Sequence, residues 1–464
     1  MIYVKDKRCF VPDQALMKHI PFPSALLEAR VPRYTSFPPA NRFSSDVGPA
    51  QMASWLDAVP DGAPISLYIH VPFCRRLCWF CACHTQGART DEPVDRYLEH
   101  LEEEIAMVRA RLPAKLHVSA LHLGGGTPTL LSPDRLDRLA AMIAASFSQQ
   151  GQKDFSVEID PAECDAARLD RLVAQGLTRA SIGVQDFDPT VQSAIGRHQS
   201  AELTAETVQA LRNRGIGAIN FDLLYGLPLQ SQATLAATLQ NVIEMRPDRI
   251  ALYGYAHVPW MSRRQRLIPD HVLPDTQERV MQASMAREAL IANGYVPIGI
   301  DHYALPHDAL AVAARAGTLR RNFQGYTTDQ APILIGFGPS AISRFDQGYA
   351  QNAPATGQWQ SAVSGGALAT VRGHLLSRND RLHADIIETL MCRGMVDLAD
   401  CCTRHEADLA PLIRRAHKVV EQLPDAAKLE GTKIVVSSPL YTRLVASRLD
   451  PGLERQTDRF SKAS

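Results

Sequence analysis

Between residues 65 and 294 the sequence alternates six times between a short apolar segment and a longer segment with helical periodicity. The short segments are rich in β-branched residues and bounded by turn-forming residues, which is typical of buried parallel strands. They are residues 65–73, 119–126, 154–161, 179–187, 218–228 and 249–259. This alternation predicts an α/β fold with a parallel sheet and helices outside it, either doubly wound or curled into an open barrel.

The segments between the predicted strands carry helix signals. Residues 94–112, 133–147 and 201–215 have apolar side chains three and four positions apart. Ser132 is a suitable N-cap before Pro133 at the first helical position. Gly215 is a suitable C-cap for the third of these helices.

Unusual residues fall at the carboxyl ends of the predicted strands, where parallel α/β folds place their chemistry. The ends of the first five strands carry Cys74; Gly124, Gly125 and Gly126; Glu158 and Asp160; Gln185 and Asp186; and Asp222. A glycine run lets a backbone approach a ligand closely, but it is also common in ordinary turns. The carboxylates can bind a ligand or cap the helix that follows, and the residues alone leave both interpretations open.

Composition excludes some classes of function. The chain has 464 residues, with 49 Lys and Arg against 49 Asp and Glu, so it has no broad positive field to hold a nucleic acid. The first thirty residues contain charges and prolines, unlike a signal peptide, and no apolar run is long enough to span a membrane. We therefore predict a cytoplasmic protein without a nucleic-acid partner or a membrane span.

After about residue 371 the pattern changes. Helical segments at 383–394 and 407–423 precede residues 429–449, which are typical of a small hairpin and a last helix. We predict three parts: an N-terminal extension over the barrel mouth (1–50), a barrel domain (51–365) and a small C-terminal helical domain (366–464).

The nine cysteines are unevenly distributed, and four of them lie within residues 74–83. Cys74, Cys78 and Cys81 have the spacing C-x3-C-x2-C, and Cys83 follows two residues later. Such crowding indicates a bound metal or an iron–sulfur cluster, whose positive charge stabilises deprotonated thiols. A zinc site with Cys83 or His84 as the fourth ligand is the alternative.

The cysteine spacing after a first strand, with Phe80 before the third cysteine, resembles the signature of the radical S-adenosylmethionine (SAM) superfamily. Over nearly the whole chain the sequence resembles the oxygen-independent coproporphyrinogen III oxidase family. The residues that carry this resemblance are PRYTSFP (32–38), YIHVPFCRRLCWFCAC (68–83), LHLGGGTPT (121–129), EIDP (158–161), SIGVQDFD (181–188), FDLLYGLP (221–228), YAHVP (255–259), DHYALP (301–306), RNFQGYTT (321–328) and GFGPSAIS (336–343).

The resemblance implies an open partial (β/α)6 radical SAM barrel with a small, winged-helix-like C-terminal domain. It implies that Cys74, Cys78 and Cys81 bind a [4Fe–4S] cluster whose open iron chelates SAM, and that Cys83 matters for activity without being a ligand. The residues that match SAM-binding positions of the family are Tyr68, Phe80, Gly125, Gly126, Thr127, Glu158, Gln185, Arg197, Asp222, Ala256 and Ile342. The family implies a second SAM molecule, and the resemblance does not divide these residues between the two molecules.

The implied reaction is the oxidative decarboxylation of two propionates of coproporphyrinogen III, which gives protoporphyrinogen IX. The implied partners are this substrate, a flavodoxin-like electron donor and an unidentified electron acceptor, with the protein as a monomer. Candidate contacts to the propionates and the macrocycle are Arg33, Arg321 and the pair Phe323–Gln324, each of which can equally be a surface or packing residue. The alternatives are a haem chaperone of the same family and a zinc-stabilised binding module.

Overall fold

The structure is a computed structural model that describes residues 28–147 and 154–453. Cys9, most of the predicted N-terminal extension and the last residues of the predicted C-terminal domain lie outside these ranges. Among the described helices, none is both long enough and apolar enough to cross a membrane.

Six parallel strands follow the predicted alternation, and we label them in chain order. They are β1 (Pro64–Val71), β2 (His117–Gly125), β3 (Asp154–Ile159), β4 (Arg179–Gln185), β5 (Ala218–Tyr225) and β6 (Arg249–Gly254). Each strand pairs in parallel with the next one along the chain. The helices between and around them are Glu92–Arg109, Pro133–Ser146, Ala166–Ala174, Pro189–Ile195, Ala201–Asn213 and Gln232–Met245. The predicted (β/α)6 barrel is confirmed.

Two predicted helix ends are also confirmed. The Ser132 hydroxyl accepts a hydrogen bond from the backbone N–H of Arg135 at the start of Pro133–Ser146. Gly215 follows Ala201–Asn213 with φ +82°, the left-handed conformation that favours glycine at a helix end.

A seventh parallel strand, Ile333–Phe337, lies on the other side of β1, with Ile333 opposite Ile65. This strand lies outside the six predicted alternations. Antiparallel strands extend the sheet from both edges, so the barrel stays open. These strands are Ile342–Phe345, Gly348–Asn352 and Thr370–Leu375 at one edge, and His302–Ala304 and Val296–Ile298 at the other. A separate hairpin pairs Arg320–Asn322 with Gly325–Thr327.

The first strand is shorter than predicted. It stops at Val71, and after Pro72 a two-residue strand, Phe73–Cys74, pairs instead with Gln86–Gly87. Proline has no backbone N–H to donate, so β1 cannot continue its ladder through Pro72. The break turns the cysteine segment away from the sheet.

The C-terminal part contains the predicted helices, hairpin and last helix. Its helices are Arg378–Arg393, Leu398–His405, Leu409–Gln422 and Thr442–Leu449, and its strands are Met395–Asp397, Ala427–Glu430 and Lys433–Val436. Helices with a small three-stranded sheet agree with the predicted winged-helix-like fold. Thr370–Leu375 belongs to the large sheet, although the predicted division at 365/366 assigns this strand to the C-terminal domain. The division into domains otherwise stays a prediction.

The described part of the N-terminal extension joins the two parts. Val31, Tyr34 and Phe37 are buried in the core of the C-terminal part. The Tyr34 hydroxyl donates to Asp450, and Arg33 donates to the carbonyl of Gly254 at the end of β6 (2.8 Å). The remaining helices are Pro49–Asp57, Thr276–Ala292, Ala309–Ala316 and Thr356–Ser364.

Glu104, on helix Glu92–Arg109, is buried against the segment that follows the seventh strand. It accepts from the backbone N–H of Gly338 (2.7 Å) and from the side chain of Asn352 (2.6 Å). Burial raises the pKa of Glu104 to about 7, although these two hydrogen bonds oppose the shift. The folded chain therefore keeps a proton on Glu104 at pH values at which an unfolded chain has released it.

We expect this proton to make stability depend on pH. Because the pKa of Glu104 is higher in the folded state, stability falls as pH rises from about 4.5 to 7, by roughly 3 kcal/mol. The measurement compares the free energy of unfolding of wild type and Glu104→Gln across this window. The difference between the two should change with pH, whereas Glu103→Gln, at an exposed position on the same helix, should follow wild type. Parallel curves for wild type and Glu104→Gln would contradict this account.

Candidate active site

The cysteine loop, residues 73–88, lies at the carboxyl end of β1. Its two ends are tied together, because the backbone N–H of Ala88 donates to the carbonyl of Cys74 (3.0 Å). Its base is tied to the end of β2, where the N–H of Thr127 donates to the carbonyl of Phe73 (2.8 Å). The loop therefore stands beside the glycine run.

A second segment holds the loop from outside. The Gln265 side chain donates to the carbonyls of Phe80 (2.7 Å) and Ala256 (3.1 Å) and accepts from the N–H of Val258 (2.5 Å). Ser262 donates to the carbonyl of Cys81 at 2.9 Å. These contacts link the cysteine loop to the chain that follows β6, and the sequence analysis missed them because no motif marks them.

Replacing Gln265 with leucine is expected to lower the free energy of unfolding by about 1–3 kcal/mol, because the buried N–H of Val258 loses its acceptor. Release of the Phe80 carbonyl should also loosen the cysteine loop and lower its iron content after reconstitution. Gln240→Leu is the control, since that side chain is exposed and pairs only with Glu244. Equal stability and iron content in the two variants would contradict this role for Gln265.

The three cysteines differ in their surroundings. Burial raises the pKa of the Cys74 thiol to about 11. Burial also raises the pKa of Cys78, and the Arg197 guanidinium, 3.7 Å from its sulfur, opposes this shift. Hydrogen bonds from Cys83, including one from its backbone N–H (3.4 Å), lower the pKa of Cys81 to about 6.

These residues fit an iron–sulfur cluster. Buried thiols lose their protons when a cation takes up the charge, and donors directed at the sulfurs stabilise the thiolates and tune a cluster. Arg197 and the N–H of Cys83 are such donors. In the described ranges no three Cys, His, Asp or Glu side chains lie close enough to surround one ion. The ligands of a cluster bind separate irons, so a cluster does not need that arrangement.

Packing within the protein requires glycine at positions 125 and 126. A Cβ on Gly126 would lie 2.5 Å from the carbonyl oxygen of Phe73, and one on Gly125 would lie 2.5 Å from the ring of His70. Gly125 also has φ +110°. Glycine is therefore needed here for the close packing of the run against β1 and the cysteine loop, and a close approach to a ligand stays a prediction.

Glu158, on β3, is connected to the glycine run. Its carboxylate accepts from the N–H of Gly125 (2.9 Å) and lies 3.4 Å from Nε2 of His122. Burial alone would raise the pKa of Glu158, but the hydrogen bond and charge of His122, together with the amide of Gly125, lower it overall. The ring of Tyr68 stacks on His122, with centroids 5.7 Å apart. Tyr68, the glycine run and Glu158 therefore form one group.

Arg197 forms the centre of a second group. Its guanidinium donates to the carbonyl of Gly183 (2.7 Å) and to Asp160 (3.2 Å), and it approaches Cys78. Gln185, two residues after Gly183, has φ +68°, an uncommon conformation for a residue with a side chain. The Asp160 carboxylate also caps the turn that follows β3, so it acts both as a cap and as the partner of Arg197.

The other predicted site residues lie on separate elements around these two groups. Asp222, on β5, accepts from Ser181 (3.0 Å) and Asn220 (2.9 Å). Phe80 packs in a small apolar cluster with Ile195 and Leu227. Ile342 begins the strand beyond Ile333–Phe337, and its carbonyl faces Gly336, the residue opposite Tyr68. Cys83 is exposed at the loop surface.

Two histidines were missed by the sequence analysis. His70 lies 3.0 Å from the Tyr68 hydroxyl and 2.9 Å from the carbonyl of His84, and His122 contacts Glu158. The sequence signal that could have identified His122 is the alternation of side chains between the two faces of a strand. His122 stands between Leu121 and Leu123, which are buried on the opposite face of β2.

The chain matches known proteins over nearly its whole length. It is 48% identical over 427 residues to the oxygen-independent coproporphyrinogen III oxidase of Paracoccus denitrificans, covering 92% of this chain and 95% of that protein. It is 42% identical to the enzyme of that name from Escherichia coli, covering 93% of this chain and 95% of that protein. The chain belongs to the oxygen-independent coproporphyrinogen III oxidase family.

Two further comparisons agree with this family. Residues 68–242 match the model of the radical SAM superfamily. The solved structure of coproporphyrinogen III oxidase from E. coli, described as a radical SAM enzyme, superposes with a TM-score of 0.86 at 35% identity, covering 91% of this chain and 100% of that chain. Membership of the family implies a [4Fe–4S] cluster and SAM as cofactors, and it does not favour the haem-chaperone alternative.

Proposed function

We propose that the chain catalyses the oxygen-independent oxidative decarboxylation of two propionate side chains of coproporphyrinogen III to vinyl groups. The product is protoporphyrinogen IX, and the reaction belongs to haem biosynthesis. The observation that carries this proposal is the near-full-length identity to oxidases of that name. The cysteine loop beside Glu158 and Arg197, at the open end of the barrel, supports it.

The proposal gives each site residue a role. Cys74, Cys78 and Cys81 hold the cluster, and Cys83 contributes to activity from beside Cys81. The residues proposed to bind SAM are Tyr68, Phe80, Gly125, Gly126, Thr127, Glu158, Gln185, Arg197, Asp222, Ala256 and Ile342. They extend from β1 across β5 and beyond β6, and this spread supports our proposal of two SAM molecules.

When bound, the reduced cluster and SAM supply a 5′-deoxyadenosyl radical, which can remove a hydrogen atom from a substrate carbon. The propionate loses that hydrogen from its β-carbon, its carboxylate leaves as CO2, one electron passes to an external acceptor, and a vinyl group remains. A second round converts the second propionate.

The chain's own part in this chemistry includes lining the lower end of the lumen with paired charges. At the amino ends of the strands, Arg249 pairs with Asp308 (2.8 Å) and Arg179 with Asp154 (2.6 Å). Ser66 on β1 donates to Asp329. Apart from Asp308, these side chains line the amino end of the lumen, and we propose that their pairing limits the entry of water, which would quench a radical.

Electron delivery has to come from outside the barrel. Leu77 and Cys83 of the cysteine loop are exposed, so an external donor can approach the cluster site. This exposure supports the proposed flavodoxin-like donor. The electron acceptor, the monomeric state and the cytoplasmic location stay predictions.

The test uses coproporphyrinogen III carrying deuterium at the β-carbons of its propionates. The anaerobically reconstituted, reduced protein is incubated with SAM and this substrate, and the 5′-deoxyadenosine released is analysed by mass spectrometry. Deuterium in the 5′-deoxyadenosine is the expected result. Unlabelled 5′-deoxyadenosine released with vinyl formation would contradict the proposed site of hydrogen removal.

A further inference from the structure

A cavity of about 270 Å³ lies in the lumen of the barrel, and two of the proposed SAM residues, Glu158 and Asp222, are part of its wall. This volume suits one arm of a tetrapyrrole, a propionate and its pyrrole ring, more than a whole macrocycle. Its wall on the side of β6 is polar and includes Tyr253, His302, Asn322, Gln324 and Tyr326. The motif around Asp301 and His302 is one of the segments that carry the family resemblance, yet the function described above gives it no role.

Tyr253 and His302 present two polar atoms to this cavity. The Tyr253 hydroxyl lies 3.5 Å from Nε2 of His302, at the limit of a hydrogen bond. The Tyr253 hydroxyl and Nε2 of His302 therefore form at most a weak hydrogen bond with each other. Their separation suits two donors that bind the two oxygens of one carboxylate.

A charged pair behind His302 fixes its orientation. Nδ1 of His302 lies 2.7 Å from Oδ1 of Asp301, so Nδ1 carries a proton and Nε2 is the nitrogen left at the cavity. Nη1 of Arg321 lies 3.9 Å from the same Asp301 oxygen, and its Nε donates to the carbonyl of Tyr34 (3.3 Å). Arg321 therefore shares Asp301 with His302. To bind a carboxylate, His302 would be the imidazolium, which keeps its Nδ1–H on Asp301 and directs its Nε2–H at the cavity.

Gly325, on the hairpin strand Gly325–Thr327, lies beside the pair. A Cβ built on Gly325 would find Nε2 of His302 at 3.6 Å and the Tyr253 hydroxyl at 3.7 Å, with no other residue nearer. These are ordinary van der Waals distances, so Nε2 of His302 and the Tyr253 hydroxyl both lie close to the backbone of Gly325. Asp222 faces the same cavity, but it accepts from Ser181 and Asn220, and burial raises its pKa, which reduces its repulsion of an anion.

We propose that Tyr253 and His302 form a carboxylate-binding pair that holds one propionate of the tetrapyrrole, with Asp301 and Arg321 as positioning residues. This inference rests on the proposed function and deepens it, because it places part of the substrate inside the lumen. A tetrapyrrole with four propionates needs such donors, and the pair supplies two of them on one wall.

The test is a binding titration of the cluster-loaded, SAM-bound protein with coproporphyrin III, the stable oxidised macrocycle with the same four propionates. Binding is followed anaerobically by porphyrin fluorescence. Tyr253→Phe and His302→Gln should each weaken binding about 10-fold, the effect of losing one hydrogen bond to a charged group. His307→Gln is the control, because His307 is 73% exposed and pairs with Asp248 outside the lumen.

The tetramethyl ester of coproporphyrin III separates carboxylate recognition from general loss of structure. Both variants, and Asp301→Asn, should bind the ester as tightly as wild type does. Because their affinity for the acid is lower, the ratio of acid affinity to ester affinity should fall in the variants and not in wild type. Wild-type affinity for the acid in both Tyr253→Phe and His302→Gln would overturn the proposal. Equal losses for acid and ester would also overturn it. Failure of wild type to bind coproporphyrin III at all would instead contradict the proposed function.

Discussion

Replacing Cys78 with serine is expected to abolish the cluster and all turnover. Cys78 lies at the centre of the cysteine loop, and Arg197 approaches its sulfur. Iron–sulfur clusters select soft thiolate ligands, and a serine hydroxyl replaces one of only three. After anaerobic reconstitution, the variant should contain far less than four irons per chain, show no visible absorbance from a cluster, and form no 5′-deoxyadenosine from SAM.

Cys164→Ser is the matched control for this experiment. Cys164 is a half-buried free cysteine after β3, outside the cysteine loop. The Cys164→Ser protein should keep the iron content and the activity of wild type. A Cys78→Ser protein with the iron content and SAM cleavage of wild type would show that Cys78 is not a cluster ligand.

Replacing Gly126 with alanine is expected to have the next largest effect. Its Cβ would lie 2.5 Å from the carbonyl oxygen of Phe73, 2.8 Å from that of Val71 and 2.9 Å from the amide nitrogen of Phe73. All three neighbours are backbone atoms, so no side chain can move aside to relieve the contact. The strand end that carries Cys74 must shift, which should lower the free energy of unfolding by about 1–3 kcal/mol and displace the first proposed ligand.

The measurement compares thermal unfolding, iron content and SAM affinity of Gly126→Ala with those of Gly217→Ala. A Cβ on Gly217 would meet nothing within 4 Å, so that variant should behave as wild type. SAM affinity and iron content should fall together in Gly126→Ala, because one displacement affects both sites. A stable Gly126→Ala protein with a full cluster and unchanged SAM affinity would contradict the account of the glycine run.

The sequence predicted the six barrel strands because each is a local pattern of apolar residues between turns. It did not predict the strand Ile333–Phe337, which pairs with β1 from a position far along the chain. Such a pairing leaves no trace in local periodicity. The end of β1 was placed too late, because the apolar character of Phe73 outweighed the effect of Pro72.

The strand ends were predicted to carry the site. In the structure Glu158 contacts the glycine run, and His122 connects Glu158 to Tyr68. The residues that support them were not predictable. Gln265 is an ordinary polar residue in the sequence, and its three hydrogen bonds exist only in the folded chain. Of the two interpretations left open for the carboxylates, the structure shows capping, by Asp160, and ligand binding stays a prediction.

Asp160 caps a turn and also binds Arg197. Asp186 is fully buried and accepts from Thr238 and Gln230, which gives it a structural role. Of the candidate substrate contacts, Phe323 packs edge-on against Phe43 and Tyr349, whereas its neighbour Gln324 lines the lumen cavity. The sequence alone does not show which of the two neighbours packs in the core and which faces the cavity.

The most direct test of the central claim is mass spectrometry of the tetrapyrroles after turnover. The reconstituted, reduced protein is incubated anaerobically with SAM, coproporphyrinogen III and a cell extract as a source of electron acceptor. The account predicts a product that has lost two carboxyl groups and the accompanying hydrogens, formed by wild type and not by Cys78→Ser. Unchanged coproporphyrinogen III in the presence of a fully loaded cluster and SAM would contradict it.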